Sequence, residues 1–149
     1  MYSTVKTCVL QGLNGYVVDV ETDLSNGLPT FQIVGLPDAS IKESKERVRS
    51  AITNSGFQFP LQRIVVNLAP ASLKKEGSQL DLAIAVSLLC SIGEIDVESD
   101  EKTAFIGELS LDGRVTGVEG ALPIVISLRE FGFERCYVPA ENQEECGVV

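Results

Sequence analysis

Polar and apolar positions alternate along residues 16–23, where Val18 and Val20 interleave with Asp19, Glu21 and Asp23. That period of two marks a strand with one wet face. Residues 4–10 read as a preceding strand, joined through the turn Gly12-Leu13-Asn14-Gly15. Asn26-Gly27-Leu28-Pro29 turns the chain into a third strand, residues 30–34, and the three runs predict an antiparallel sheet. After Gly35-Leu36-Pro37-Asp38 the period changes. Ile41, Ser44, Val48, Ala51, Ile52 and Ser55 fall on one helical stripe, with Lys42, Glu43, Glu46, Arg47 and Arg49 opposite. Either Asp38 or Ser40 caps this helix, the latter in a capping box with Glu43.

Residues 63–68 predict the next strand, and the charged turn Lys74-Lys75-Glu76-Gly77 leads into a helix over residues 80–92. That helix is apolar on nearly every side, so it is expected to be the buried central one, capped by Ser78 and Asp81. An acidic loop follows with Glu94, Asp96, Glu98, Asp100 and Glu101. Residues 103–115 read as a hairpin turning at Asp112-Gly113. A helix over residues 121–131 tolerates Pro123 in its first turn. A short strand at residues 135–139 and a helix starting near Ala140 complete one α+β domain.

Charge narrows the partners. Among 149 residues there are 12 lysines and arginines against 21 aspartates and glutamates, a net charge of −9. Such a surface as a whole does not grip nucleic acid or an anionic membrane. No apolar run approaches the ~18 residues of a membrane helix and no secretory signal opens the chain, so a soluble, cytoplasmic domain is expected. The four cysteines, Cys8, Cys90, Cys136 and Cys146, lack metal-ligand spacing, and there is no histidine. A zinc site and Ser-His or Cys-His catalysis are therefore without their residues, and the thiols are expected to be free.

No G-x-x-x-x-G-K-[ST] loop and no G-x-G-x-x-G turn occurs, so neither a triphosphate cradle nor a dinucleotide site is supported. Asp19, Glu21 and Asp23 share one face of a strand and have the oxygen chemistry for magnesium; the solvated face of a strand is the favoured reading. From Asp38 to Glu76 seven basic residues stand against four acidic ones, +3, leaving −12 elsewhere. Lys42, Lys45, Arg47, Arg49, Lys74 and Lys75 are thus the candidate contact to DNA or an acidic partner. The competing reading is a wet helix face with Glu43–Arg47 and Lys42–Glu46 as i,i+4 pairs. Ser78 beside Lys74 and Lys75 raises a Ser-Lys nucleophile, against which stands a capping serine with both lysines in water.

A set of segments resembles the YifB/ComM family of magnesium-chelatase-like AAA+ ATPases. They are Val34-Gly35-Leu36-Pro37-Asp38, Glu43-Ser44-Lys45-Glu46-Arg47-Val48-Arg49, Asn54-Ser55-Gly56-Phe57, Val66-Asn67-Leu68-Ala69-Pro70-Ala71, Lys75-Glu76-Gly77, Asp81-Leu82, Gly107-Glu108-Leu109 and Val138-Pro139-Ala140-Glu141-Asn142. The likeness runs from about residue 3 to residue 149. It implies an amino-terminal domain, with the P-loop ATPase module expected to follow in a longer protein. The end at Gly147-Val148-Val149, inside an apolar stretch, is expected to be a cut. The resemblance further implies a ribosomal protein S5 domain 2-like fold, shared with Lon-type proteases.

Lon-type proteases carry K-D-G-P-S-A-G at the central helix and a lysine base in G-G-[LV]-K-E-K. Aligned on Lys75-Glu76-Gly77 and on Gly120, the nucleophile position here is Gln79 and the lysine position Leu122. Ser78 is one residue off, a helical rotation of about 100°. The resemblance therefore implies a non-catalytic domain with no cofactor or metal of its own, ATP and Mg2+ belonging to the longer protein. It also implies ring-forming subunits, a role in DNA branch migration during competence, and, for this domain, ring assembly or guidance of DNA or a partner. Ser78 and Leu80 stand where the family pattern has a proline and an aromatic residue. The alternatives are a Ser-Lys peptidase-like enzyme and a purely structural oligomerisation domain.

Overall fold

In the computed structural model, which describes residues 1–97 and 102–149, β1 (Tyr2–Gln11) turns at Gly12 into antiparallel β2 (Asn14–Ser25). The alternation in β2 sorts its side chains as its period requires. Val18, Val20, Thr22 and Leu24 are buried, and Asp19, Glu21 and Asp23 lie on the other face.

The third strand, β3 (Thr30–Val34), does not extend this antiparallel pair as expected. It runs parallel to β4 (Arg63–Ala69), and β4 lies between it and β2. The reason is the sixteen-residue helix α1 (Ala39–Asn54), which carries the chain from β3 back to a parallel neighbour. Ile64, Val66 and Leu68 of β4 are all buried and suit an interior strand, whereas Thr30 and Gln32 of β3 are exposed at the edge. The six-stranded mixed sheet has the order β3-β4-β2-β1-β5-β8, with β5 (Thr103–Phe105) parallel to β1, and β8 (Arg135–Tyr137) parallel to β5.

The residues 103–115 do not form one hairpin either. β5 joins the main sheet, and only β6 (Glu108–Leu109) pairs with β7 (Val115–Thr116) across the Asp112-Gly113 turn. The split falls at Ile106-Gly107, where the Ile106 amide donates to Tyr137 O (3.0 Å) and the Gly107 amide to Gln79 O (2.9 Å). A Cβ at Gly107 would lie 2.5 Å from Val115 Cγ1, so the hairpin closes over a glycine.

The central helix α2 (Asp81–Ser91) covers β1 and β2 beside α1, and Leu80, Ala83, Ile84 and Leu88 are buried beneath it with Val18, Val20 and Val66. Each such aliphatic side chain contributes about 1.5–3 kcal/mol of burial. Helix α3 (Ala121–Glu130) covers the opposite face at the β1–β5 end, packing Ile124 and Leu128 on Cys8 and Ala104. Ser127 Oγ accepts from the Gly15 amide (3.0 Å), fixing α3 over the β1–β2 turn. Pro123 falls in the first turn of α3, and a 3-10 turn at Ala140–Asn142 leads into α4 (Gln143–Cys146). Of the acidic loop, Glu94 and Asp96 are exposed; Glu98, Asp100 and Glu101 lie outside the described residues. Among the described residues no helix is long and apolar enough to cross a membrane.

Candidate functional site

The segments 34–38, 67–81 and 107–109 are far apart in sequence and meet at the start of α1 and α2. Asp38, not Ser40, caps α1: its Oδ1 accepts from the Ile41 amide (2.9 Å), and Ser40 Oγ donates to the same oxygen (2.8 Å). Asp38 Oδ2 accepts from the Gly77 amide (3.2 Å), which ties the cap to the loop before α2.

Lys75 holds that junction from inside. Its side chain is fully buried, and Nζ donates to Gly35 O (2.7 Å) and to Pro70 O across the cis Ala69–Pro70 bond. Its backbone pairs with the same loop, the Lys75 amide donating to Leu36 O (3.0 Å) and the Asp38 amide to Lys75 O (3.0 Å). Leu36 adopts φ +57°, a left-handed conformation that a branched side chain takes only when its surroundings impose it. Burial pushes the Lys75 ammonium below the usual lysine range. The reading of both lysines as water-exposed is thus corrected for Lys75, which offers no surface to DNA, a partner or a substrate.

Arg47 is likewise turned inward. Its Nε donates to Asp81 Oδ2 (2.6 Å) and its Nη2 to Asp81 Oδ1 (3.1 Å) and Ser40 O (2.8 Å). The fully buried Asp81 also accepts from Ser44 Oγ (2.5 Å) and from the Leu109 amide (3.1 Å). Asp81 therefore does not act with Ser78 as a cap; it is the centre of a buried ion pair joining α1, α2 and β6. The Asp81 carboxylate raises the Arg47 pKa further above its ordinary value. The expected Glu43–Arg47 pair is present at 3.8 Å on the rim of this network. Sequence reasoning missed the pair itself. Its one local signal is an aspartate flanked by Leu80 and Leu82 in an otherwise apolar run.

Ser78 sits in a 3-10 turn, Ser78–Leu80, that precedes α2, and its hydroxyl donates to Glu108 Oε2 (2.6 Å). Gln79 bonds its own turn, Nε2 to Glu76 O (3.0 Å), and Leu122 is half-buried in the first turn of α3. Lys74 is exposed and pairs with Glu76 at 3.6 Å. The serine hydroxyl thus faces a carboxylate, and neither Lys74 nor Lys75 is its partner. A nucleophilic serine needs a base that takes its proton.

Of the six candidate contact residues, Lys42, Arg49 and Lys74 remain exposed and Lys45 half-exposed. The exposed Glu43, Glu46 and Glu76 interleave with them, and the Arg49 guanidinium lies 4.6 Å from the centre of the Phe59 ring. On the wet face of β2, Asp19 pairs with Lys6 (2.7 Å), and Glu21 accepts from Asn67 Nδ2 (2.7 Å) and Tyr2 OH (3.1 Å). These partners occupy the carboxylates in the manner of a solvated strand face. All four cysteines are free thiols.

Comparison with known proteins follows the same lines. Residues 20–142 match the model of a family described as subunit ChlI of Mg-chelatase. The uncharacterized protein YifB of Salmonella typhimurium is 41% identical over 145 residues, 97% of this chain and 28% of YifB. Competence protein ComM of Haemophilus influenzae is 39% identical over 138 residues, 93% of this chain and 27% of ComM. Lon protease of Mycolicibacterium smegmatis is 23% identical over 140 residues, 90% of this chain and 18% of the protease. The chain spans less than a third of the length of these curated relatives.

Proposed function

Since the chain belongs to the YifB/ComM group of the Mg-chelatase-related ChlI family and has a Lon-like α+β fold, we propose that it is a non-catalytic domain of a longer, cytoplasmic AAA+ ATPase. The observation that carries this reading is the Ser78 hydroxyl donating to Glu108, with neither Lys74 nor Lys75 as its partner; it agrees with the resemblance, which puts Gln79 and Leu122 at the positions of the Lon-type serine and lysine. A carboxylate accepting the serine proton in a ground-state hydrogen bond is a far weaker base than a neutral amine. In the longer protein ATP and Mg2+ would be held by the ATPase module, and this domain would serve ring assembly or guide a partner.

The charge arrangement favours assembly over DNA guidance. Arg47 and Lys75 are committed to interior partners, and the remaining Lys42, Lys45, Arg49 and Lys74 share their surface with Glu43, Glu46 and Glu76. A surface of near-balanced charge releases few counterions and gives weak, salt-sensitive DNA binding.

Two measurements test the reading. A fluorophosphonate serine probe should leave the domain unlabelled; labelling that disappears in Ser78→Ala would overturn the non-catalytic assignment. Sedimentation of the longer protein, intact and lacking this domain, should show smaller assemblies in the deletion. Assemblies of equal size, together with DNA binding lost on reversing Lys42, Lys45 and Arg49 to glutamate, would replace assembly by DNA guidance.

A further inference from the structure

We propose that Asn26 is a site of spontaneous covalent modification, where the chain closes a succinimide with Gly27 and reopens it to isoaspartate or aspartate. In the first step the Gly27 backbone nitrogen gives its proton to a base in the solvent and bonds to Asn26 Cγ. The Cγ–Nδ2 bond then breaks, and Nδ2 takes a proton from water and leaves as ammonia. Water next adds to one of the two ring carbonyls. Breaking the new N–Cγ bond leaves aspartate; breaking the original peptide bond leaves isoaspartate, with the chain running through Cβ and Cγ. No electrons are exchanged, and water is the co-reactant. The net charge of the chain goes from −9 to −10.

Five asparagines carry the same side chain, and the structure separates them. Asn54 Nδ2 donates to Leu111 O (2.7 Å), Asn67 Nδ2 to Glu21 Oε1 (2.7 Å) and Asn142 Nδ2 to Val118 O (2.9 Å). None of these three precedes a glycine, so a side chain covers the nitrogen that would attack. Asn14 does precede one, but Asn14 and Gly15 open β2, paired with Gln11 and Leu10. Gly15 is buried and its amide donates to Ser127 Oγ, which keeps solvent bases from that proton. Closing the ring there would also force Asn14 out of its extended conformation.

Asn26 and Gly27 are under no such restraint. They lie in the exposed run 26–29 between β2 and β3, and neither has a hydrogen bond among the described residues. Gly27 has φ +153°, a backbone that favours glycine, and a Cβ there would have Arg63 Cβ as its nearest neighbour at 3.8 Å. The fold thus calls for glycine at 27 and leaves its nitrogen open. The run steps over the end of β4 from one flanking strand to the other, about 10 Å. Four residues reach about 13 Å, so the longer isoaspartate backbone fits without displacing β3. Asp112-Gly113 has the same chemistry in sequence but is held: the Gly113 amide donates to Ser110 O (3.0 Å), and the carboxylate accepts from the Arg114 amide (3.0 Å) and Nε (2.9 Å).

Ageing the intact chain in mildly alkaline buffer tests this, in its folded state and in urea. Cleavage after glutamate puts Asn14 in residues 1–21 and Asn26 in residues 22–43, so mass spectrometry reads each separately. In the folded chain the second peptide should gain the mass of an NH2-to-OH exchange at least about tenfold faster than the first, with isoaspartate as the larger product. In urea the two rates should converge, because the protection of Asn14 comes from the fold. Asn26→Gln, which would need a larger ring, should abolish the more acidic species that ion exchange resolves. Equal rates in the folded chain, aspartate without isoaspartate, an acidic species that persists in Asn26→Gln, or an Asn26 that is stable when folded and reacts only in urea would each overturn the proposal.

Discussion

Asp81→Asn preserves the shape of a fully buried side chain and removes its charge. Four donor protons converge on the native carboxylate, from Ser44 Oγ, Arg47 Nε, Arg47 Nη2 and the Leu109 amide. Asparagine offers one acceptor oxygen and turns an NH2 group toward the remaining donors. Removing one partner of a buried ion pair costs about 3–5 kcal/mol. The Arg47 side chain keeps 18% of its exposure, so water recovers part of its hydration. We therefore expect a loss of about 3 kcal/mol, at the low end of that range. Against a domain stability of about 5–15 kcal/mol the variant still folds.

Arg47→Met removes the other partner and is expected to cost about the same, because Asp81 then remains charged and buried. The double variant leaves no unpaired charge, so its cost should fall well short of the sum, with a coupling of about 2–3 kcal/mol. Urea unfolding followed by circular dichroism, on the parent, both single variants and the double variant, yields that coupling. Costs that add to within about 0.5 kcal/mol would refute the pairing, as would an Asp81→Asn loss below about 1 kcal/mol. Amide exchange gives a second readout. Leu109 should exchange faster in Asp81→Asn, because its acceptor is the altered side chain.

Other perturbations follow from the same junction and from the thiols. Gly35→Ala should lower the urea midpoint by the equivalent of about 2 kcal/mol, since φ is +103° and the new methyl would collide with Leu68 O; an unchanged midpoint would show that the loop relaxes freely. Lys75→Met should destabilise by about 1–3 kcal/mol, because Gly35 O and Pro70 O lose their donor while a buried charge is relieved; a more stable variant would mean that burying the ammonium outweighs its bonds. Burial raises the Cys8 thiol to about 11 and the Cys136 thiol to about 12, from 9.0. Above pH 9 the unfolded chain therefore loses these protons first, and stability falls as pH rises toward 11. The lowered Lys75 pKa acts oppositely, adding stability as pH rises toward 10.5, but one amine stands against four thiols, because burial also raises Cys90 and Cys146. Melting temperatures from pH 8 to 11 should decline, and the slope should flatten in Cys8→Ala/Cys136→Ala; an unchanged slope would assign the decline to other groups.

The elements legible in the sequence are those whose partners are implied by a local period. The alternation of Val18 and Val20 with Asp19 and Glu21 places β2 with one face in water, and the apolar run of α2 marks a buried helix. The position of β3 is not local information, because it depends on which strand returns after α1, and the apolar content of β4 decides that only once the whole sheet is formed. The candidate contact face failed in part for a similar reason. Lysine and arginine are usually exposed, so residue type alone sends Arg47 and Lys75 outward. Their partners Asp81 and Gly35 lie 34 and 40 residues away, and no helical or strand period connects them. Lys42, Arg49 and Lys74, which have no such interior partner, are exposed as their type predicts.

The interior polar contacts also bear on what the likeness to Lon protease means. Within the segments that carry the family resemblance, Gly35 lies against Leu68 O and Asp38 caps α1. Lys75 bonds Gly35 and Pro70, Asp81 bonds Arg47, and Asn142 bonds the Val118 amide and carbonyl at 2.9 Å each. Each of these residues satisfies a backbone or charged group that would otherwise be buried without a partner. They specify the junction of strands and helices and require no substrate to explain them. The side chains of Gln79 and Leu122, which the resemblance to Lon-type proteases aligns with the serine and the lysine, join none of these contacts; the Gln79 side-chain amide bonds within its own turn, while its backbone carbonyl accepts from the Gly107 amide. A scaffold of this kind keeps its shape whatever residues fill those two positions. The shared fold therefore argues for a common architecture and does not by itself argue for catalysis.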